Sequence, residues 1–317
     1  MFKTPILLLI FNRPDNLTKI IKILEKIKPS KIYISADGPR FHNSEDSKLC
    51  KDSRKLFSKL NWKCKVKKNF LGKNYGCRDA VSKGISWFFR NEKCGIILED
   101  DCLPSKDFFK FCEKNLRKYY KHYRIGCITG NNFQNKVNIR ETYYFSRYPH
   151  CWGWATWSRA WKKYQKDINF WPNYKNTEDW RNYFDDSIEQ RYWTKIFNNT
   201  FLKKIDSWAY PWTISLWKNK MLTITPKSNL VKNVGFNHDA THTISSLDDM
   251  KYKTKSLVGK WKSPKKIEIN IKNDEYVFNY HFKGKNYIWP FRLLYLIKLA
   301  VFSPKIFYKK LIKSIYK

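Results

Sequence analysis

The stretch Gly95-Ile96-Ile97-Leu98-Glu99-Asp100-Asp101-Cys102-Leu103 constrains the fold more than any other. A short apolar run behind a glycine has the length of a buried strand, although a helix competes for so brief a run. It stops at three adjacent carboxylates, which raise one another's pKa unless something positive lies between them. The strand must therefore cross a core and deliver its acids to an edge where charge is compensated. Carboxyl ends of strands in α/β sheets are such an edge, and ligands bind there. Two readings stay open. The acids are a solvated turn before a helix, with Asp107 in its cap, or they hold a divalent cation, for which hard oxygen ligands favour Mg²⁺ or Mn²⁺.

The preceding chain supplies a sheet for that strand. Ile6-Leu7-Leu8-Leu9-Ile10-Phe11 is continuously apolar and reads as a buried, parallel-type strand, broken by Asn12-Arg13-Pro14-Asp15. Leu17, Ile20, Ile21, Leu24 and Ile27 recur at helical spacing, and Pro29 ends that helix. Lys31-Ile32-Tyr33-Ile34-Ser35-Ala36 is a second strand, halted at Asp37-Gly38-Pro39. Strand, helix, strand opens a doubly wound α/β domain. At these strand tips Arg13 can pair with phosphate and Asp37 can accept a base or ribose hydrogen bond, or each is a cap or turn residue. A helix is predicted over 45–60 and an alternating strand over 63–67. Residues 69–79 form a basic loop whose Lys73 and Arg78 precede a helix. Cations there oppose the macrodipole unless an anion binds, so the loop is a diphosphate contact or a solvated charge. No GxxxxGK[ST] loop occurs.

Beyond the acids, a helix is predicted from 105 to about 123, a strand over 125–130 and a shorter one at 143–145. His150-Cys151-Trp152-Gly153-Trp154-Ala155-Thr156-Trp157-Ser158-Arg159-Ala160-Trp161 is dense in tryptophan, as a core layer or a sugar-stacking wall would be. Trp157 and Trp161, four apart, are expected on one helix face, and Gly153 permits close backbone approach to a ligand. Residues 170–199 are expected to be helices of an insertion. Asp206-Ser207-Trp208 precedes a helix to Trp217 and a strand at 222–225. The loop over 226–243 carries His238 and His242. After 245 lysines multiply, with short strands predicted at 267–271 and 276–282. Residues 287–302 are apolar and aromatic, and lysines interleave with apolar residues after them. This end reads as a basic amphipathic segment on an anionic bilayer, or as a helix packed on its own domain.

Charge narrows the partners. Lys and Arg number 63 against 27 Asp and Glu, a formal +36. Such a field attracts nucleic acid, nucleotide phosphates or an anionic membrane face. No RNP, zinc-finger or helix-turn-helix signal is present and the cations are spread out, so nucleic acid is not the expected partner. The eight cysteines include no CxxC and no Cys/His zinc spacing, which fits reduced thiols and a cytosolic protein. The apolar run after Met1 is too short for a signal peptide, and nothing approaches the roughly 20 apolar residues of a membrane span.

The signals follow an order: Phe11-Asn12-Arg13, Ser35-Ala36-Asp37-Gly38, Ile97-Leu98-Glu99-Asp100-Asp101, Asp107-Phe108-Phe109, Trp152-Gly153-Trp154, Asp206-Ser207-Trp208, then the 226–243 loop. Over about residues 5–245 this resembles the GT-A glycosyltransferases. It looks most like the bacterial family 2-type sugar transferases often labelled haemolysin-like. It is more distantly similar to the inverting N-acetylglucosaminyltransferase I group. The resemblance implies a doubly wound, mostly parallel central sheet flanked by helices, in a catalytic domain over 1–245. Residues 1–101 would be its nucleotide-binding half and 102–245 its acceptor half, with 246–317 a basic aromatic extension. It also implies roles. Phe11, Asn12, Arg13, Asp37, Arg78, Glu99, Asp100 and His242 would bind the donor, with Asp37 on the uracil and Glu99 and Asp100 on sugar or ribose. Asp101 would hold Mn²⁺ or Mg²⁺ on the diphosphate, and Asp206 would be the general base. Trp152, Gly153 and Trp154 would wall the acceptor or sugar. The chain departs from the transferase I group in having Asp-Ser-Trp where that group has a double acid before Trp. The implied activity is inverting, metal-dependent transfer from a nucleotide-sugar donor, expected to be a UDP-sugar, to a hydroxyl of a surface-glycan or lipid-linked acceptor. It would work in the cytoplasm, peripherally at the inner membrane face. The alternatives are a nucleotidyl- or phospho-group transferase and, from another class, a basic nucleic-acid-binding protein.

Overall fold

An apolar run with no polar alternation needs cover on both faces, and β1 (Ile6–Ile10) is buried at every position. The computed structural model describes residues 1–134, 137–235, 253–304 and 306–308. Helix α1 (Pro14–Ile27) has its proline in the first turn and buries Leu17, Ile20 and Leu24, the stripe its spacing predicts. Then follow β2 (Lys31–Ala36), α2 (Ser44–Lys55), β3 (Lys65–Phe70), α3 (Gly76–Asn91) and β4 (Cys94–Glu99). The four strands lie parallel in the order β3-β2-β1-β4. Leu9 of β1 pairs with Glu99 of β4, so both strands end together.

The chain continues through β5 (Cys102–Pro104), α4 (Lys106–Lys118), β6 (Ile125–Thr129), β7 (Tyr143–Ser146) and β8 (Trp154–Trp157). Three single-turn helices, α5 (Ser158–Trp161), α6 (Trp171–Tyr174) and α7 (Glu178–Arg181), lead to α8 (Ser187–Phe201) and α9 (Ala209–Lys218). β9 (Leu222–Pro226) and β10 (Val231–Asn233) follow, then α10 (Ile271–Tyr276) and α11 (Phe291–Phe302). Among the described residues the main sheet has eight strands in the order β3-β2-β1-β4-β8-β6-β9-β7, with β8 and β7 antiparallel to their neighbours and the other six running one way. The architecture is thus α/β, with a mostly parallel central sheet flanked by helices. A separate ribbon pairs β10 with β5 and sets Asn233 opposite Cys102.

Each face of the sheet has its own core. One packs Leu17, Leu24, Phe108, Phe111 and Trp157. The other holds Trp154, Trp161, Trp171, Trp180, Trp193, Trp212 and Trp217. Most of the tryptophan is therefore packing material. Trp157 and Trp161 do not share a helix face: one closes β8 and the other ends α5, and they enter opposite cores.

The strand predicted at 276–282 is helical instead, α10 continuing into a π-helical turn over Val277–His281. Of the strand predicted at 267–271, Ile269 makes a single bridge to Phe145. Within the segment over 246–317, residues 274–278 pack against the body. Val277 and Phe278 complete the tryptophan-rich core. Buried Asp274 accepts hydrogen bonds from Ser146 Oγ (2.6 Å) and the Arg147 amide (2.9 Å), and its pair with Arg147 Nε spans 3.4 Å. Two apolar residues and one acid, inconspicuous among lysines, carry this return to the body. No helix among the described residues is long and apolar enough to cross a membrane.

Candidate functional site

The carboxyl ends of β1, β2 and β4 open into a cleft of about 680 Å³, completed by the start of α3, the loops after β7 and before α9, and the turn at His281. Arg13, Asp37, Glu99, Asp100, Asp101, Trp152 and Asp206 all line it.

The acid end follows from the register of β1 and β4. Asp100 is buried; its Oδ2 accepts from the Phe11 amide at 2.8 Å and its Oδ1 from Arg13 Nη1 at 2.7 Å. The same Nη1 lies 3.2 Å from Asp101 Oδ2. The positive group that three adjacent carboxylates require is therefore Arg13. Burial raises the Asp100 pKa, and Arg13 opposes that rise. Glu99 is pushed up to about 8, first by burial and then by Asp101 and Asp100. Its carboxyl makes no hydrogen bond to a described residue, so near neutral pH it is largely a protonated acid with a proton to give. Asp101 is only partly covered. Its carbonyl accepts from the Val234 amide at 2.8 Å. A Cβ at Gly235, two residues past β10, would stand 2.4 Å from Asp101 Oδ2, so a larger residue there would push the Asp101 carboxylate aside.

Asp37 lines the cleft, but its acceptor capacity is taken. It receives the amides of Gly38 (2.9 Å), Tyr75 (3.0 Å) and Gly76 (3.1 Å) and the Asn74 side chain (3.0 Å). Burial raises its pKa and these donors lower it. The anion at the positive end of α3 is thus Asp37 itself, which fills the place the sequence offered to a diphosphate. Arg78 turns away to Asp167 Oδ1 (2.6 Å) and does not line the cleft. Asn12 gives its amide to Asp46 Oδ1 (2.8 Å), behind the cleft wall. Arg40, overlooked in the sequence, grips Asp46 through Nε (2.6 Å) and lies 5.4 Å over the Phe11 ring at the cleft edge.

The opposite wall comes from the second half of the chain. Exposed Asp206 precedes α9 and makes no hydrogen bond to a described residue. Burial first of all, then Glu99, Asp206 and Asp101, raise the pKa of the Cys77 thiol between them. The acids therefore face one space. Gly153, at φ +71°, reverses the chain between Trp152 in the wall and Trp154 beneath it. Trp154 is fully buried, stacked on Trp208 at 5.5 Å, so it supports the wall and touches no ligand space. Beyond Trp152 lie Phe133, His150 and His281, with Phe133 and His281 stacked at 3.8 Å. Burial, then His281, holds His150 well below the usual histidine pKa. Neither histidine was visible as a site residue, because each reaches the cleft through tertiary packing. His242 and the rest of its loop lie outside the described residues.

Among the described residues no group of three or more His, Cys, Asp or Glu is arranged to hold a metal ion. Asp101, a partly covered carboxylate, stands in the cleft at the end of the acidic cluster. Mg²⁺ is commonly bound through one or two carboxylates plus substrate phosphates, and Asp101 fits that mode.

No family model matches the chain, and no curated protein matches it. Among solved structures, HddC from Yersinia pseudotuberculosis aligns with 13% identity over 53% of this chain and 85% of its own, at a TM-score of 0.30, too low to carry an argument about fold or activity.

Proposed function

We propose that the chain is a metal-dependent, inverting glycosyltransferase that moves a sugar from a nucleoside-diphosphate donor, in our reading a UDP-sugar, to a hydroxyl of a glycan or lipid-linked acceptor. One observation carries this reading. Glu99, Asp100 and Asp101 at the end of β4 share a cleft with Asp206, an uncommitted carboxylate supplied from the far half of the chain. That is the division inversion needs, because the base must act across the sugar from the leaving diphosphate.

In this reading Asp101 holds Mn²⁺ or Mg²⁺ together with the donor's phosphate oxygens. When bound, the cation neutralises charge on the departing diphosphate. Arg13 pairs with Asp100 and holds it in place beneath Asp101. Glu99, protonated near neutral pH, donates a hydrogen bond to donor sugar or ribose. Asp206 takes the acceptor hydroxyl proton, a contribution of roughly 10²–10⁴-fold. Trp152 offers a ring face at the acceptor side. Asp37 shapes the nucleotide end by fixing the loop before α3, rather than by spending its oxygens on a base.

Nucleotidyl transfer is the second reading, favoured by the uncommitted Asp206 in the same cleft as Asp101. A cation held by Asp101 and the substrate's phosphates would serve displacement at phosphorus as well. Incubation with a panel of nucleotide sugars, and separately with sugar phosphates plus nucleoside triphosphates, each with Mn²⁺ and followed by product identification, tests both. Nucleoside diphosphate release supports glycosyl transfer. Pyrophosphate, formed from sugar phosphate and nucleoside triphosphate, would replace it with nucleotidyl transfer.

A further inference from the structure

We infer that α11 is a monotopic anchor lying on an anionic lipid bilayer, and that it holds the cleft against that surface. Helix α11 is the sequence FRLLYLIKLAVF, apolar nearly all round, and none of its residues is buried. A helix apolar on every side belongs inside a core or in lipid. Leu294 is 58% exposed, Val301 64% and Phe302 79%, and Trp289 just before them is 74% exposed. A contiguous apolar surface of this kind marks an interaction site.

Charge selects the partner. From position 276 to 317 the sequence carries nine Lys or Arg and no Asp or Glu. An apolar helix set among cations, with Trp289 and Tyr287 at its start, matches anionic headgroups over acyl chains. The 12 residues of α11 reach about 18 Å, short of the roughly 30 Å hydrocarbon core, so it lies in the interface rather than across it.

The tether to the cleft is short. Phe282, which lines the cleft, and Phe291 are nine positions apart. Between them Gly284 packs on the Phe278 ring and Tyr287 on Tyr192, 6.0 Å between centroids. A bilayer under α11 therefore lies beside the aromatic end of the cleft, where a lipid-linked acceptor would enter; this last step rests on the transferase reading above.

The test is sedimentation of the full chain with vesicles, for the wild type and for a Leu294→Glu/Ile297→Glu variant. Both positions are exposed, so the folded body is left intact. The wild type is expected to bind vesicles of equimolar phosphatidylglycerol and phosphatidylcholine at least about ten-fold more tightly than pure phosphatidylcholine, less so at high salt, and the variant to lose that binding. Equal binding to neutral vesicles, undiminished binding by the variant, or a vesicle-free dimer that the variant dissolves would overturn the inference. Donor turnover with a water-soluble acceptor is expected to be the same in both proteins. Its absence from both would count against the transferase reading while leaving the vesicle result to stand by itself.

Discussion

Arg13 and Glu99 divide the cost of crowding three acids. Arg13 neutralises Asp100 and part of Asp101, and Glu99 avoids charge by keeping its proton. Replacing Arg13 with Met leaves a buried carboxylate uncompensated. We expect a loss of about 2–4 kcal/mol in denaturant unfolding at pH 7, shrinking in acid as the carboxylates protonate. Glu99 has the opposite sign from a salt-bridged acid. The fold retains its proton to about pH 8, whereas the unfolded chain releases it near 4.5. Between those values the folded state binds more protons, so stability falls as pH rises through that window. Glu99→Gln should change little at pH 5 and stabilise by roughly 1–3 kcal/mol at pH 9, visible as a Tm difference that grows with pH. An equal Tm difference at both pH values would show Glu99 to be ionised in the fold. At this scale the sequence disclosed which acids cluster and that they need a cation, since adjacency alone sets repulsion. It did not disclose that Asp37 is saturated by four donors, because three of them come from a loop nearly forty residues away.

Elements buried on both faces were legible because such strands cannot alternate. β1, β2 and β4 lie close to where their apolar runs put them. Elements defined by partners were not. β8 and α5 split a tryptophan run that looks helical, since alternate tryptophans serve opposite cores. The return of 270–282 was illegible for the same reason: its helical turns are fixed by Asp274 on Ser146 and Arg147. Asp274→Ala should cost about 3–5 kcal/mol, since it strands Arg147 in a buried site. Limited proteolysis is expected to cut the variant after 253 sooner than the wild type. Unchanged stability and cleavage would mean that Val277 and Phe278 alone hold the segment.

Over the whole molecule, the cleft is where the two halves of the chain meet: Glu99, Asp100 and Asp101 from the end of β4, Asp206 from the approach to α9, and His150 and His281 from the loop after β7 and the turn after α10. The order of motifs made most of that meeting legible, because a parallel sheet delivers successive strand tips to one edge. The aromatic end was hidden in packing. A divided site implies that binding and chemistry can be separated by mutation. The most direct measurement is donor affinity by calorimetry with Mn²⁺, beside transfer rate, for Asp101→Asn and Asp206→Asn. Asp101→Asn is expected to weaken donor binding and transfer together. Asp206→Asn should leave donor affinity unchanged while slowing transfer by about 10²–10⁴-fold. Full transfer by Asp206→Asn, or undiminished donor affinity in Asp101→Asn, would contradict the division.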